Sequence, residues 1–184
     1  NDRTLLPKFN LNGYYSQKGQ DQFVIDFFNK KNNGYFIEIG GYDGITSSNT
    51  YKLEKEFNWN GLLVEPSLHL YNKLKNKRNC KSENCIIVNE YKDQVKFIDK
   101  NSPGSIINDV FDNPLEIPVR QYFKKTKEEI KKYKEYDIKQ KHINELFDEF
   151  NVPNIIDFFS LDVEGYEYFL LKNFDFNKYT IKLF

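Results

Sequence analysis

Short apolar runs alternate with amphipathic stretches along most of the chain. Compact apolar runs that end at glycine, proline or acidic residues are typical of buried strands. The runs predict strands at 35–39, 61–66, 85–91, 95–99, 155–163 and 179–184. Elsewhere apolar residues recur every three or four positions, which indicates helices. This spacing predicts helices at 16–30, 46–57, 68–77, 143–150 and 166–173.

Strands that alternate with helices at this spacing predict an α/β protein with a mostly parallel sheet and helices on both faces. In the first helix we expect Phe23, Val24, Phe27 and Phe28 to form the buried face. Ligands of such sheets lie at the carboxyl ends of the strands, near the point where the strand order reverses. The loops that follow the strands are therefore the first place to look for chemistry.

Residues 101–140 interrupt the alternation. Four of them, Pro103, Gly104, Pro114 and Pro118, break regular structure, and 124–141 is charged with little apolar stripe. We expect an insertion or lid at 101–140 that is helical toward its end. The chain shows no repeat and no linker, so we expect one domain over 1–184, with an N-terminal helical cap at 1–33.

Composition narrows the classes of function. Lys and Arg total 27, as do Asp and Glu, so the formal net charge is zero and we do not expect a nucleic-acid partner. No apolar stretch is long enough to enter a membrane, and the two cysteines, Cys80 and Cys85, are too few for a disulfide framework. We expect a cytoplasmic protein from an A/T-rich genome, such as a large DNA virus in its host. A chain without Met that begins at Asn1 is expected to be processed or excised.

The loop after the first strand carries three glycines and two acids. Gly40, Gly41 and Gly44 allow a tight turn and close approach of a ligand, whereas Glu38 and Asp43 would repel a pyrophosphate. The alternative is a turn that only links strand and helix. Twenty-five residues beyond Gly40, Glu65 ends the second strand, where an acid can bind ribose hydroxyls. This combination favours S-adenosylmethionine, which carries a sulfonium cation, an amino-acid tail and a ribose.

Four motifs, taken together, resemble the FkbM-type methyltransferases. They are Ser16-Gln17-x-Gly19-Gln20-Asp21, Ile39-Gly40-Gly41-Tyr42-Asp43-Gly44 with Ser48-Asn49-Thr50, Val64-Glu65-Pro66 and Ser160-Leu161-Asp162-Val163-Glu164-Gly165. They follow the family's order and cover about residues 14–175. Gly41 and Tyr42 depart from the family's usual small residue and Asn.

The resemblance implies a Rossmann-like class I methyltransferase that moves a methyl group from S-adenosylmethionine to a hydroxyl. The acceptor it implies is a sugar, a glycan or a small hydroxylated scaffold. By position, the methionine portion would be bound by Glu38, Gly40, Asp43, Gly44 and Asn49, the ribose by Glu65, and Gln17 or Gln20 would close over the cofactor. The resemblance also places Phe184 in the fifth of seven strands, so the last strands are expected beyond it.

Two acids follow the strand at 155–163. Asp162 and Glu164 lie two residues apart, so on an extended strand both point to the same side. Asp162 could take the proton of the acceptor hydroxyl, or bind a divalent cation such as Mg²⁺ together with Glu164. The alternative is structural: Asp162 would accept bonds from loop N–H groups and Glu164 would cap the next helix.

Other residues support weaker hypotheses. Basic residues cluster at Lys73, Lys75, Lys77, Arg78 and Lys81 and again at 124–141, but such runs are usually solvated helix faces. His69 and His142 lack partners at catalytic or metal-binding spacing. Two alternatives stay open: an RNA-cap ribose methyltransferase whose Lys-Asp-Lys-Glu tetrad would use Asp162 and Lys182, and a non-catalytic module of the same fold. The oligomeric state cannot be read from the sequence.

Overall fold

A computed structural model describes residues 13–93, 95–99, 105–106, 134–163 and 166–184. Five helices are present in these ranges: α1 (Gln20–Phe27), α2 (Tyr51–Phe57), α3 (Leu68–Lys77), α4 (Ile143–Glu149) and α5 (Glu167–Lys172). The first five strands are β1 (Tyr35–Ile39), β2 (Asn60–Val64), β3 (Lys81–Glu83), β4 (Ile86–Val88) and β5 (Lys96–Asp99). The others are β6 (Ser105–Ile106), β7 (Lys134–Asp137), β8 (Gln140–His142), β9 (Ile155–Leu161) and β10 (Thr180–Leu183).

Five strands form one parallel sheet in the order β10-β9-β1-β2-β3. This confirms the predicted α/β fold with a parallel sheet, and β1 and α3 have the predicted bounds. β3 was not predicted as a strand. The order reverses at β1, since the chain runs from β1 through β2 to β3 on one side and through β9 to β10 on the other.

Helices cover both faces of this sheet. Because neighbouring residues of a strand point to opposite faces, Phe36 and Ile37 enter different cores, as do Phe158 and Phe159. Phe36 and Phe158 pack with buried residues of α1, α2 and α3. Ile37 and Phe159 pack with buried residues of α4 and α5. Packed cores therefore hold the sheet from both faces and fix the position of its carboxyl edge.

Two small sheets lie outside the main one. β4 pairs with β8 in parallel, and β5 pairs with β6 and β7 in antiparallel fashion. The prediction of a helix toward the end of 124–141 is wrong at 134–142, which forms β7 and β8. Burial alternates with a period of two residues here, which is typical of a strand: Ile138 is buried, Tyr136 is half-buried and Asp137 between them is exposed. Residues 100–104 and 107–133, most of the predicted insertion, lie outside the described residues, as do residues 1–12 of the predicted cap.

Two helices start later than predicted. α2 begins at Tyr51 and not near residue 46, because Ser47 has a φ of 60° and cannot continue a helix. α1 begins at Gln20 and buries Val24 and Ile25, whereas Phe23 and Phe27 are 46% and 55% exposed. The predicted apolar face of α1 is therefore wrong for these two phenylalanines.

The remaining composition-based expectations concern cysteines and membranes. Cys80 and Cys85 are both free and buried. Within the described ranges, no helix is both long and apolar enough to cross a membrane.

Candidate active site

The strand order brings the predicted site residues together at one edge of the sheet. Gly40 follows β1, Glu65 follows β2 and Asp162 follows β9, and these three strands are neighbours. The Gly40 and Gly41 N–H groups donate to the Val64 carbonyl at 2.9 and 3.0 Å. The Asp162 N–H donates to the Ile39 carbonyl at 3.2 Å. Three loops that are far apart in sequence thus form one continuous rim.

Two positions in the first loop require glycine. Gly40 has a φ of +93°, and a Cβ atom there would lie 2.6 Å from the Asp162 carbonyl oxygen. Gly44 has a φ of +83°, and its Cβ would lie 3.0 Å from Cγ of Arg78. Both positions combine a left-handed backbone with a close neighbour, so any side chain would push the loop off the rim.

Glu65 is buried, with 5% of its surface exposed, and braces two loops. Its carboxylate accepts hydrogen bonds at 2.8 Å from the N–H groups of Tyr42 and Ser67. These two bonds fix the orientation of the Glu65 carboxylate. Glu65 is therefore placed where the sequence predicted a ribose-binding acid, and its role stays a prediction.

The turn that carries Glu65 is fastened by two residues that sequence reasoning missed. The Asn84 side-chain amide donates to the carbonyls of Glu65 and Pro66 at 2.8 and 2.9 Å. The Tyr136 hydroxyl donates to the Pro66 carbonyl at 3.1 Å and accepts from the Leu68 N–H at 2.6 Å. Since Tyr136 lies seventy residues away on β7, no local pattern could reveal this contact.

Glu38 forms a buried network with the Ser48-Asn49-Thr50 segment. Its carboxylate accepts from the Ser48 hydroxyl at 3.0 Å, the Asn49 N–H at 2.8 Å and the Thr50 hydroxyl at 2.5 Å. Burial raises the pKa of Glu38, and the nearby Arg78 guanidinium and these hydrogen bonds offset the effect only in part. Glu38 is thus built into the support of the loop.

Arg78 is the hub of this network, although the sequence placed it in a surface basic cluster. Its side chain is fully buried and donates to Glu54 at 2.8 Å and to the Gly44 carbonyl at 3.0 Å. It also donates to the hydroxyls of Ser48 and Thr50 at 3.2 and 2.9 Å. A single guanidinium therefore joins the glycine loop, the following turn and α2.

Asp43 closes the same loop on its exposed side. It accepts from the N–H groups of Ile45 and Thr46 at 3.0 and 2.7 Å and from Lys77 Nζ at 2.8 Å. Burial raises the pKa of Asp43, but the Lys77 ammonium and the two N–H donors outweigh it and lower the pKa to about 2. With Glu38 near Arg78 and Asp43 paired with Lys77, the loop carries little net negative charge.

The N-terminal motif is organised by a buried acid. Asp21 is fully buried and accepts hydrogen bonds from the Ser16 hydroxyl and the Tyr15 N–H. Ser16 in turn forms a β-bridge with Ser47. This bridge anchors the segment that carries the exposed Gln17 and Gln20 beside the loop around Ser47, and their predicted role as a cover stays untested.

Asn49 reaches across to β9. Its side-chain nitrogen donates to the Ser160 hydroxyl at 2.8 Å, and its side-chain oxygen is buried without a partner among the described residues. The Ser160 hydroxyl can donate or accept, so either orientation of the amide leaves one polar atom of Asn49 unsatisfied. An unsatisfied polar atom beside a cleft is a natural contact for a ligand or a water molecule.

A cleft of ≈ 690 Å³ opens between α1 and the carboxyl ends of β9 and β10. Its polar lining includes Gln20, Asn49, Ser160 and Asp162, while Gln17 is not among the lining residues. The rest of the lining is largely aromatic and aliphatic. This cleft meets the glycine loop at Asp162, because Gly40 packs against the Asp162 backbone.

The Asp162 side chain is exposed at this junction. β9 ends at Leu161, so Asp162 lies just beyond the strand, and Glu164 lies outside the described residues. In the described part of the chain, no three His, Cys, Asp or Glu side chains gather as a metal site would require. The predicted divalent cation at Asp162 therefore gains no support.

His142 caps α4, where its Nδ1 accepts from the Asn144 N–H at 3.3 Å.

Comparison with known proteins connects this geometry to a family. A family model described as the methyltransferase FkbM domain matches residues 38–184, which include the last two residues of β1, the glycine loop, Glu65 and Asp162. Neither the curated proteins nor the solved structures returned a match. The matched region covers most of the chain and contains four strands of the parallel sheet in full, together with the end of β1. The chain therefore belongs to the FkbM methyltransferase family.

Proposed function

We propose that this methyltransferase uses S-adenosylmethionine to methylate a hydroxyl group of a sugar, a glycan or a small hydroxylated scaffold. The observation that carries the proposal is the row of groups along the sheet edge. Glu65, the glycine loop and Asp162 follow β2, β1 and β9 in turn, and the cleft lies beyond Asp162 at β9 and β10. A ligand that lies along this row would have one end near Glu65 and the other end near Asp162.

The residues present fit S-adenosylmethionine in this order. Glu65, held after β2 by the N–H groups of Tyr42 and Ser67, would accept bonds from the ribose hydroxyls. Gly40 exposes its backbone, so the methionine portion could approach the loop closely. Asn49 offers an unsatisfied amide atom beside the loop. When bound, the cofactor supplies a methyl group on a positively charged sulfur.

Asp162 is the residue we propose for the acceptor. Its exposed carboxylate lies between the loop and the cleft, so it can accept the proton of an acceptor hydroxyl. The hydroxyl oxygen then forms a bond to the methyl carbon while the bond from carbon to sulfur breaks and its electron pair stays on sulfur. The carboxylate and the rim together hold the reacting groups in line, which is most of what such a transfer needs.

An RNA-cap tetrad is not favoured by the position of Lys182. Its amine lies 2.7 Å from Asp157, which β9 places five residues before Asp162. Five residues of extended strand span about 16 Å, so Lys182 is engaged far from the proposed reaction centre.

Methyl transfer from labelled S-adenosylmethionine into a cell extract would separate an enzyme from a non-catalytic module.

The direct test is binding of S-adenosylhomocysteine, the demethylated product, measured by titration calorimetry. We expect micromolar binding by the wild-type protein and a loss of about tenfold to a hundredfold in Glu65→Gln, because a charged hydrogen-bond acceptor is replaced by a neutral one. Glu83→Gln is the matched control: Glu83 ends the neighbouring strand β3 but pairs with Lys139. Absence of binding by the wild-type protein would overturn the proposed cofactor.

A further inference from the structure

The cleft next to Asp162 carries information on the acceptor itself. Its lining includes the apolar side chains of Phe23, Val24, Phe158, Phe159, Leu171 and Phe184. Ligand pockets of this kind bind the apolar surface of a ligand with their walls and fix its orientation with a few polar groups. This inference rests on the proposed function, since it concerns the acceptor of that same site.

The charges around the cleft are few and unbalanced. Among the lining residues, Lys18 is basic, whereas Asp162 and Glu167 are acidic. Glu167 accepts a hydrogen bond from the Val163 N–H at 3.1 Å, and Asp162 is exposed. Two acids and one lysine do not form a phosphate site, for which clustered Arg or Lys donors are typical. The lining thus disfavours a phosphorylated or nucleotide acceptor.

Phe23 is the residue that gives the wall its exposed aromatic surface. It is 46% exposed and lines the cleft from α1. Exposing a large aromatic side chain to water is unfavourable unless another surface covers it. Phe27 lies one turn further along α1, is 55% exposed and stacks on Phe23 at 6.0 Å between ring centres, but does not line the cleft. The two phenylalanines therefore share one stacking contact and differ in access to the cleft, while Phe27 also packs edge-on against Phe28.

We propose that the acceptor is uncharged and has an apolar face, aromatic or aliphatic, next to the hydroxyl that is methylated. The apolar face packs against Phe23 and the aromatic wall. The hydroxyl points to Asp162, which also lines the cleft. A glycoside with an apolar aglycone has this chemistry, whereas a free sugar or a sugar phosphate lacks the apolar part.

The test compares matched probes on protein saturated with S-adenosylhomocysteine. The probes are the phenyl and methyl β-glycosides of glucose and galactose, together with glucose 6-phosphate, each titrated by calorimetry. We expect each phenyl glycoside to bind about tenfold tighter than its methyl counterpart, as one well-packed ring contact provides. Glucose 6-phosphate is expected to bind weakest. Phe23→Ala should remove most of the phenyl preference, while Phe27→Ala, which loses the same ring stacking, should retain it.

Several outcomes would overturn this inference. Equal affinity for phenyl and methyl glycosides, tightest binding of the phosphate, no binding of either phenyl glycoside, or equal effects of the two alanine substitutions would each do so. Binding of S-adenosylhomocysteine is measured first on every protein. Its failure in the wild-type protein counts against the proposed cofactor, whereas success there followed by any of these outcomes counts against the apolar acceptor alone.

Discussion

Replacing Arg78 with Met should destabilise the protein far more than the same change at its neighbour Lys77. Both side chains form an ion pair at 2.8 Å, Arg78 with Glu54 and Lys77 with Asp43. They differ in burial: the Arg78 side chain is fully buried and that of Glu54 is 6% exposed, whereas Lys77 is 34% exposed. The Met side chain is apolar and similar in length to the aliphatic part of Arg78. The substitution therefore mainly removes the charge and the hydrogen-bond donors.

The expected cost follows from what Arg78→Met leaves behind. Glu38 would remain buried without a cation and Glu54 would keep only the partly exposed Lys55, and breaking a buried pair from one side costs about 3–5 kcal/mol. Burial raises the pKa of Glu54, yet Arg78 and its hydrogen-bond donors lower it to about 2. The hydroxyls of Ser48 and Thr50 would also lose a donor. Lys77→Met removes a partly exposed pair, for which about 0–1 kcal/mol is expected.

The assay is urea unfolding followed by the fluorescence of Trp59, the single tryptophan, which is buried against the same core as α2 and α3. Arg78→Met should lower the free energy of unfolding by about 3–5 kcal/mol, a large part of the total for a domain of this size. If it does not fold, Arg78→Lys, which keeps the charge but loses the planar fork, should fold with an intermediate loss. A loss below about 1 kcal/mol in Arg78→Met, or an equal loss in Lys77→Met, would refute the hub role of Arg78.

Three further predictions concern the rim. Asp162→Asn should abolish methyl transfer while changing the affinity for S-adenosylhomocysteine less than about threefold, measured by calorimetry; an active variant would show that the acid is structural. Tyr136→Phe should weaken S-adenosylhomocysteine binding about threefold to tenfold in the wild-type background but not in the Glu65→Gln background. The reason is that Tyr136 acts through the turn that carries Glu65. Equal effects in both backgrounds would contradict this. The pKa of Asp43 is lowered from 3.8 to about 2, so its stabilisation is complete above pH 3.8 and is lost as the pH falls through 2. Between pH 4 and pH 2, thermal unfolding should therefore show a larger loss of stability in the wild-type protein than in Asp43→Asn.

The fold could be predicted from the sequence because its signals are local. The apolar runs of β1 and β2 and the turn residues after them are contiguous, so their period and their ends are visible without knowledge of the fold. The order of the motifs then identified the family, which the match over residues 38–184 confirms. Where the local signal was mixed, as at 134–142, the prediction of a helix was wrong.

The support of the site could not be predicted because it depends on contacts between distant segments. Arg78 follows three lysines within five residues, which is typical of a solvated helix end, and its burial is set by Glu38, Thr50 and Glu54. The same is true of Tyr136, whose partners lie about seventy residues away. Sequence motifs therefore indicated the residues at the carboxyl edge of the sheet more readily than the distant residues that hold this edge in place.

These contacts also change the reason for expecting S-adenosylmethionine rather than a dinucleotide. Repulsion by Glu38 and Asp43 is a weak reason, since Arg78 and Lys77 lie beside these acids. The loop excludes a pyrophosphate for a different reason, which is that its N–H donors are already used. Those of residues 40–42, 44–46 and 48–51 donate to Val64, Glu65, Gly41, Asp43, Ile45, Ser48 and Glu38.

The described residues of the rim also carry acceptors, among them the exposed Asp162 carboxylate and the side-chain oxygen of Asn49. A phosphate group has only acceptors of its own at neutral pH and would find few donors here. An ammonium group, ribose hydroxyls and an acceptor hydroxyl are donors and match this surface. The hydrogen-bonding character of the rim, and not its net charge, is thus the physical basis for a cofactor that combines an amino acid with a nucleoside.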